Sequence, residues 1–126
     1  MSEKVSSVLS YGDHGSTFGG NPVAAAAALS VVERLTDEFL ADVTRKSKLI
    51  RSLLEGAPGI ESVTGLGLML GLKTTKPAAE VLAACRENGV LCLTAKDKVR
   101  LLPALNIPDE LLNKAAEVIK AACQPA

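Results

Sequence analysis

The sequence predicts an α+β domain with helices on one face of a small, mostly antiparallel sheet that is preceded by a long helix. Three observations lead to this fold class. Apolar residues recur at helical spacing after Pro22, two strand-like segments follow, and a further pair of strands lies between two later helical patterns. The resulting order of helix, strand, strand, helix, strand, strand, helix is typical of α+β domains.

The composition indicates a globular domain with an aliphatic core. Of the 126 residues, 48% are hydrophobic and 2% are aromatic, so Ala, Val, Leu and Ile must fill the interior. The 14 basic and 14 acidic residues give zero formal charge, whereas nucleic-acid binders use a basic excess and aromatic stacking platforms. No apolar run approaches the roughly 18 residues of a membrane span. We therefore expect neither a nucleic-acid nor a membrane partner.

The first helical pattern begins at Pro22 with an alanine-rich segment. Proline suits a first helical position because its φ is already near the helical value and it has no amide to satisfy. The pattern predicts one amphipathic helix, or two helices that meet near Thr36 and Asp37, since either residue could cap a new start. The five consecutive alanines of this segment predict close packing of the helix against a neighbour.

Two strands are predicted next, at 60–63 and 65–73. The second alternates with period two, so its leucines share one face and its glycines open the other face to a close neighbour. The leucines assigned to that one strand face are Leu66, Leu68, Leu70 and Leu72.

The remaining pattern predicts a helix over 77–88, a hairpin of strands 90–94 and 99–102, and a last helix that starts at 106–108. The predicted buried stripe of the last helix consists of Leu111, Leu112, Ala115, Val118, Ile119 and Ala122.

The loop at 11–22 is a candidate anion site. Its four glycines leave backbone amides uncovered, and Ser16 and Thr17 add two hydroxyls just before a helix N-terminus, where the helix dipole favours an anion. The alternative is a glycine-rich turn capped by Asn21, which the spacing alone favours. Neither the P-loop pattern nor the dinucleotide-binding pattern is present.

Arg100 is the second candidate. It lies in a short apolar strand just before a proline turn, where a guanidinium must either reach water or meet an anion such as a carboxylate. The alternative is an exposed arginine on an edge strand.

No catalytic or metal site can be assembled from the sequence alone. His14 is the single histidine, and in a glycine loop it is more typical of a hydrogen-bonding group than of a general base. Cys85, Cys92 and Cys123 form no C-x-x-C pair, so a zinc site is not expected. Their odd number, without a signal peptide, indicates thiols in a reducing, cytoplasmic compartment.

Three segments resemble the C-terminal part of the class-III (ornithine-type) pyridoxal-phosphate aminotransferases. They are His-Gly-Ser-Thr-Phe-Gly-Gly-Asn-Pro at 14–22 with the alanine-rich helix behind it, Gly-Leu-Gly-Leu-Met-Leu-Gly-Leu at 65–72, and Arg-Leu-Leu-Pro-Ala-Leu-Asn-Ile at 100–107. The resemblance implies the C-terminal small domain of a fold-type I aminotransferase. It divides the chain into a lead-in with a cofactor-contact loop at 1–21 and the small domain with its connecting helix at 22–126.

The resemblance also implies a role for three residues. Thr17 is similar to the residue that holds the phosphate of pyridoxal 5'-phosphate bound to the neighbouring subunit of a homodimer. Ser16 is similar to the position that touches an acylated substrate, and Arg100 to the arginine that receives a carboxylate of glutamate or 2-oxoglutarate. The implied reaction is amino-group exchange between N-acetylornithine and 2-oxoglutarate in arginine biosynthesis, with ornithine, succinylornithine or 4-aminobutyrate as alternative substrates.

The chain departs from the family where the chemistry is carried out. The family's Schiff-base lysine, and the acid that faces the pyridine nitrogen, lie in the large domain upstream of the loop. Lys4 precedes the loop, but its surroundings do not resemble that lysine's motif. We therefore expect no catalytic residue in this chain, a missing N-terminal large domain, and no activity of the chain alone. The alternative is a stand-alone α+β interaction or dimerisation module with a vestigial anion site.

Overall fold

Two units divide the chain, Met1–Thr36 and Asp37–Ala126, in a computed structural model that describes residues 3–8 and 10–125. The first unit contains α1 (Glu3–Ser6), the glycine-rich loop and α2 (Pro22–Val32). The second unit begins with α3 (Asp37–Leu54). The prediction of two helices meeting near Thr36 and Asp37 is confirmed, and the single uninterrupted helix is wrong.

The second unit is built around a four-stranded antiparallel sheet. After α3, its elements are β1 (Ile60–Leu66), β2 (Met69–Thr74), α4 (Ala78–Glu87), β3 (Leu93–Ala95), β4 (Lys98–Leu101) and α5 (Asp109–Cys123). The strands lie in the order β1-β2-β4-β3, and each neighbouring pair is antiparallel. This arrangement confirms the α+β fold class.

The core lies on one face of this sheet. Alternate residues of β2 and β4 are buried there, and the apolar stripes of α3, α4 and α5 complete the cluster. Its most buried members include Leu70, Leu72, Val99, Ile50, Leu54, Val81, Cys85, Ala116 and Ile119.

The buried stripe of α5 contains the predicted Leu112, Ile119 and Ala122 but not Leu111. Leu111 was expected in the core but is 55% exposed, whereas Ala116 and Cys123 are buried beside Leu112 and Ile119. These four buried residues follow one another at spacings of four, three and four, so they form a single line along the helix. Leu111 falls one position outside that line.

The single strand predicted over 65–73 is wrong, because the chain reverses in the middle of it. Leu66 ends β1 and pairs with Met69 at the start of β2, which leaves Gly67 and Leu68 as a two-residue turn. Gly67 has φ +56, the positive value that tight hairpins require at the first turn position. Leu66 is 89% exposed, while Leu68 is buried although it lies in the turn.

Within residues 3–8 and 10–125 no helix, including the apolar α2, is both long enough and apolar enough to span a membrane.

Candidate functional site

The start of α2 is closed by its own cap. The Asn21 side-chain oxygen accepts hydrogen bonds from the amides of Val23 (2.9 Å) and Ala24 (3.2 Å), and its backbone oxygen accepts from Ala25 (2.9 Å). Pro22 has no amide, so every donor of the first helical turn is accounted for. The loop therefore adopts the capped turn that was the alternative interpretation, and an anion would have to be bound by groups that precede the cap.

Those preceding groups are Ser16 and Thr17. Both are exposed, and in the part of the chain that the structure describes neither hydroxyl has a hydrogen-bond partner. The amide of Gly19 donates to the Ser16 carbonyl (3.4 Å), and a Cβ at Gly19 would come 3.1 Å from that of Ser16. The tight turn thus presents two adjacent hydroxyls at the surface, and hydroxyls are suitable donors to phosphate oxygens.

The rest of the loop makes local contacts only. The Asp13 carboxylate accepts from the Ser10 amide at 2.7 Å, which closes a turn. His14 is exposed, and the structure shows no hydrogen bond to its ring within residues 10–125. Because the hydroxyls are neutral, most of the charge of a bound phosphate would have to be balanced from outside this loop.

Arg100 lies on an interior strand and not at a sheet edge. β4 is flanked by β2 and β3, and Arg100 stands opposite Gly71 on one side and Leu93 on the other. The edge-strand interpretation is therefore wrong. The side chain is half-buried on the sheet face away from the core, and its Nε is a buried donor without a hydrogen-bond partner.

The charged groups near Arg100 on this face leave its own charge uncompensated. Lys98, two residues earlier, donates from Nζ to the Thr64 hydroxyl at 3.0 Å. Asp97 is paired with Lys73 at 2.5 Å. Their hydrogen bond raises the pKa of Lys73 and lowers the pKa of Asp97. Among the described residues, no carboxylate forms an ion pair with Arg100, so its planar fork remains available for a carboxylate ligand.

Gly71 and Lys98 are the neighbours that sequence reasoning missed. The Lys98 stem passes over Gly71, where a Cβ would come 3.3 Å from its Cδ. The pairing of β2 with β4 brings these residues beside Arg100. A local pattern contains no signal for that register.

The structure thus presents the sequence-predicted residues in two groups. Ser16 and Thr17 are adjacent in the first unit, and Arg100 belongs to the second. No cluster of His, Cys, Asp and Glu that could hold a metal ion occurs among residues 3–8 and 10–125.

Comparison with known proteins points to one family. The family model for Aminotransferase class-III matches residues 1–123. The acetylornithine aminotransferase of Haemophilus ducreyi is 45% identical over 121 residues, which cover 94% of this chain and 31% of that protein. The mitochondrial acetylornithine aminotransferase of Saccharomyces cerevisiae is 38% identical over 131 residues, covering 98% of this chain and 31% of that protein.

Solved structures give the same result. The N-acetylornithine aminotransferase from Stenotrophomonas maltophilia superposes with a TM-score of 0.74 at 36% identity, over 82% of this chain and 31% of that one. The acetylornithine aminotransferase from Elizabethkingia anophelis gives 0.71 at 32% identity, over 93% and 33%. The chain therefore spans about a third of the length of the proteins it matches.

Proposed function

The chain belongs to the class-III aminotransferase family, and we propose that it forms the C-terminal third of an enzyme that exchanges an amino group between N-acetylornithine and 2-oxoglutarate. The likeness to acetylornithine aminotransferases at 38–45% identity supports this substrate over ornithine, succinylornithine or 4-aminobutyrate. Within such an enzyme the chain contributes contacts to cofactor and substrate, and the remaining two-thirds contribute the reacting groups.

The unpartnered guanidinium of Arg100 is the observation that carries the proposal. A half-buried guanidinium whose Nε has no hydrogen-bond partner destabilises the fold of a domain that binds no ligand. It becomes favourable when a carboxylate accepts from it, since a charge-assisted, bidentate contact is stronger than a neutral one. Glutamate and 2-oxoglutarate both carry suitable carboxylates. In this role Arg100 binds and orients the substrate.

Ser16 and Thr17 complete the proposed contacts. Class-III aminotransferases are pyridoxal-phosphate enzymes, and the bound cofactor supplies the electron-accepting ring that amino-group exchange needs. We propose that Thr17 donates from its hydroxyl and amide to the cofactor phosphate of the neighbouring subunit in a homodimer. Ser16, one residue earlier, would then contact the acyl group of the substrate. Their free hydroxyls support these roles.

The 126 residues alone are proposed to be inactive. The lysine that binds the cofactor, and the acid that faces its ring nitrogen, belong to the family's large domain, which this chain does not span. We also propose a cytoplasmic location, on the basis of the three free cysteines.

A chimera tests the function. The matching third of the Haemophilus ducreyi enzyme is replaced by this chain, and transamination of 2-oxoglutarate is measured with acetylornithine and with ornithine. We expect an active chimera that prefers acetylornithine, and no turnover by the 126-residue chain with pyridoxal phosphate. In the chimera, Arg100→Gln should raise KM for 2-oxoglutarate by about 10- to 100-fold, the cost of one or two charge-assisted hydrogen bonds.

Three matched variants separate the roles. Thr17→Val removes one hydroxyl and should weaken pyridoxal-phosphate binding, whereas Ser16→Ala should raise KM for acetylornithine more than for ornithine. Lys96→Met, in the exposed turn between β3 and β4, should leave pyridoxal-phosphate binding and both KM values unchanged. An Arg100→Gln chimera with unchanged KM for the oxo acid would contradict the carboxylate role. A chimera that folds but has no transaminase activity would favour the interaction module.

A further inference from the structure

Lys98 runs across the face of the sheet that the core does not cover. Its stem passes over Gly71, where a Cβ would come 3.3 Å from the Lys98 Cδ, so a side chain at that position would crowd the path. Its Nζ donates to the Thr64 hydroxyl on β1 at 3.0 Å. That hydroxyl in turn donates to the Gly71 carbonyl at 3.2 Å, which orients its oxygen to accept from Lys98. The ammonium is therefore held at a defined place on the sheet.

This place lies in the same row as Arg100. Antiparallel pairing puts Thr64 opposite Gly71, and Gly71 opposite Arg100, in one line across β1, β2 and β4. Neighbouring strands are about 4.8 Å apart, so the two ends of the line are separated by about 10 Å. The Lys98 ammonium stands at one end and the Arg100 guanidinium at the other. Gly71 lies between them and contributes no side chain to the gap.

Both cations keep donors for a ligand. An ammonium has three donors, and the printed contact of Lys98 uses one of them. The Nε of Arg100 is buried without a partner. The carboxylates near this face act on the third cation instead: the hydrogen bond to Asp97, and then the charge of Glu61, raise the pKa of Lys73. Within residues 10–125 neither Lys98 nor Arg100 forms an ion pair, so the row carries two positive charges that only a ligand can neutralise.

We propose that Lys98 binds the second carboxylate of a five-carbon dicarboxylate whose first carboxylate is held by Arg100. The identity of this dicarboxylate, glutamate or 2-oxoglutarate, rests on the proposed function. The two carboxyl carbons of such a molecule are about 5 Å apart when its chain is extended. Hydrogen bonds of about 2.8 Å at each end extend its reach to about 10 Å, which matches the row. A monocarboxylate of the same length leaves Lys98 unused, so Lys98 selects dicarboxylic over monocarboxylic partners.

Titration of the full 126-residue chain with glutarate and with pentanoate tests this role without catalysis. The two probes have the same five-carbon chain, and pentanoate lacks only the second carboxylate. Binding is followed at neutral pH and constant ionic strength by the backbone amide NMR signals of β4. We expect glutarate to bind about 10-fold more tightly than pentanoate, because one charge-assisted hydrogen bond is added.

Four variants assign the preference to its residues. Lys98→Met should raise Kd for glutarate to the value for pentanoate and leave Kd for pentanoate unchanged. Lys98→Arg keeps the charge and the reach and should keep the preference. Arg100→Gln should weaken the binding of both probes. Lys96→Met is the matched control for the loss of one positive charge: it lies in the exposed turn and should keep the preference, because a distant exposed charge is screened.

Three results would each overturn the role of Lys98. They are equal affinity for glutarate and pentanoate in the unmutated chain, a preference that survives Lys98→Met, and no shift of the β4 amides with either probe. If Lys98→Met does not fold, Lys98→Gln gives the same comparison, and the two probes on the unmutated chain already decide whether a preference exists.

The chimera separates this role from the proposed function. In it, Lys98→Met should raise KM for 2-oxoglutarate about 10-fold and leave KM for 2-oxopentanoate, which lacks the second carboxylate, unchanged. An active chimera whose isolated chain shows no preference for glutarate refutes the role of Lys98 alone. A preference for glutarate that Lys98→Met abolishes, together with a folded but inactive chimera, supports the two-point contact and refutes the proposed function alone.

Discussion

Arg100 is expected to lower the stability of the ligand-free second unit. Its Nε is buried without a partner, and an unpaired buried donor costs about 1–3 kcal/mol. Arg100→Met removes the donor and the charge but keeps an unbranched apolar stem that packs on the same face. Because the side chain is only half-buried, Arg100→Met should raise the free energy of unfolding by about 1 kcal/mol, the low end of that range.

Urea unfolding measures this gain. The chain has no tryptophan, so far-UV circular dichroism is the suitable signal. With a typical m-value, a gain of about 1 kcal/mol raises the unfolding midpoint by about 0.5 M urea. The matched control is Lys98→Met, on the same strand and face, whose ammonium already donates to Thr64. Its midpoint should stay unchanged or fall slightly. If Arg100→Met leaves the midpoint unchanged or lowers it, the unpartnered guanidinium does not destabilise the unit and the reasoning is refuted.

Three further variants test local parts of the fold. Gly65→Ala should lower the free energy of unfolding by about 2 kcal/mol or more, since Gly65 has φ +124 and a Cβ would lie 2.1 Å from a backbone oxygen. Gly56→Ala is the control: it has open space around it and should lower the free energy of unfolding clearly less in the same urea assay. Arg45 lowers the pKa of Asp109 chiefly through their hydrogen bond, so Asp109 contributes stability above its unfolded pKa that is lost as pH falls through the lower folded value. Asp109→Asn should therefore lower the urea midpoint at neutral pH and reduce the loss of stability on acidification. A midpoint that falls with pH as steeply in the variant as in the unmutated chain would refute this. Asn21→Ala should weaken α2 by about 1 kcal/mol and speed exchange of its first amides, whereas Asn21→Ser should not.

The sequence identified most elements correctly but placed one reversal wrongly. Leucines alternate along the sequence from Leu66 to Leu72, and this spacing alone is typical of one straight strand. The two-residue turn pairs Leu66 with Met69, so Leu66 lies on the sheet face opposite to Leu70 and Leu72. The turn is set by Gly67, whose positive φ costs little in a residue without a Cβ. The hydroxyl of Ser47 also donates to its carbonyl at 2.6 Å. That contact joins α3 to the turn across 20 positions, which no local pattern contains.

Arg100 shows a second limit of local patterns. Its residue type and its position before a proline indicated an anion contact, but its strand was assigned to an edge. The interior position follows from β3, three residues long, which pairs outside β4. Thr64, Gly71 and Leu93 come into one row with Arg100 only through pairings between strands far apart in the sequence. Local composition therefore identified the ligand-binding candidate, and tertiary pairing determined its neighbours.

Burial is divided unequally between the two units, and this bears on how each candidate contact is maintained. Every buried residue among those described belongs to Asp37–Ala126, whereas α2 buries none of its eleven residues although most are apolar. A short helix without a packed face is marginal in water, since helices gain most of their stability from packing. The geometry around Arg100 rests on the core of its own unit. The geometry around Ser16 and Thr17 depends on whatever covers α2, and the two-thirds of the family's length beyond this chain are the proposed cover. We therefore expect the isolated chain to keep the fold around Arg100 while α2 drives self-association, and a monomer by light scattering at high concentration would contradict this.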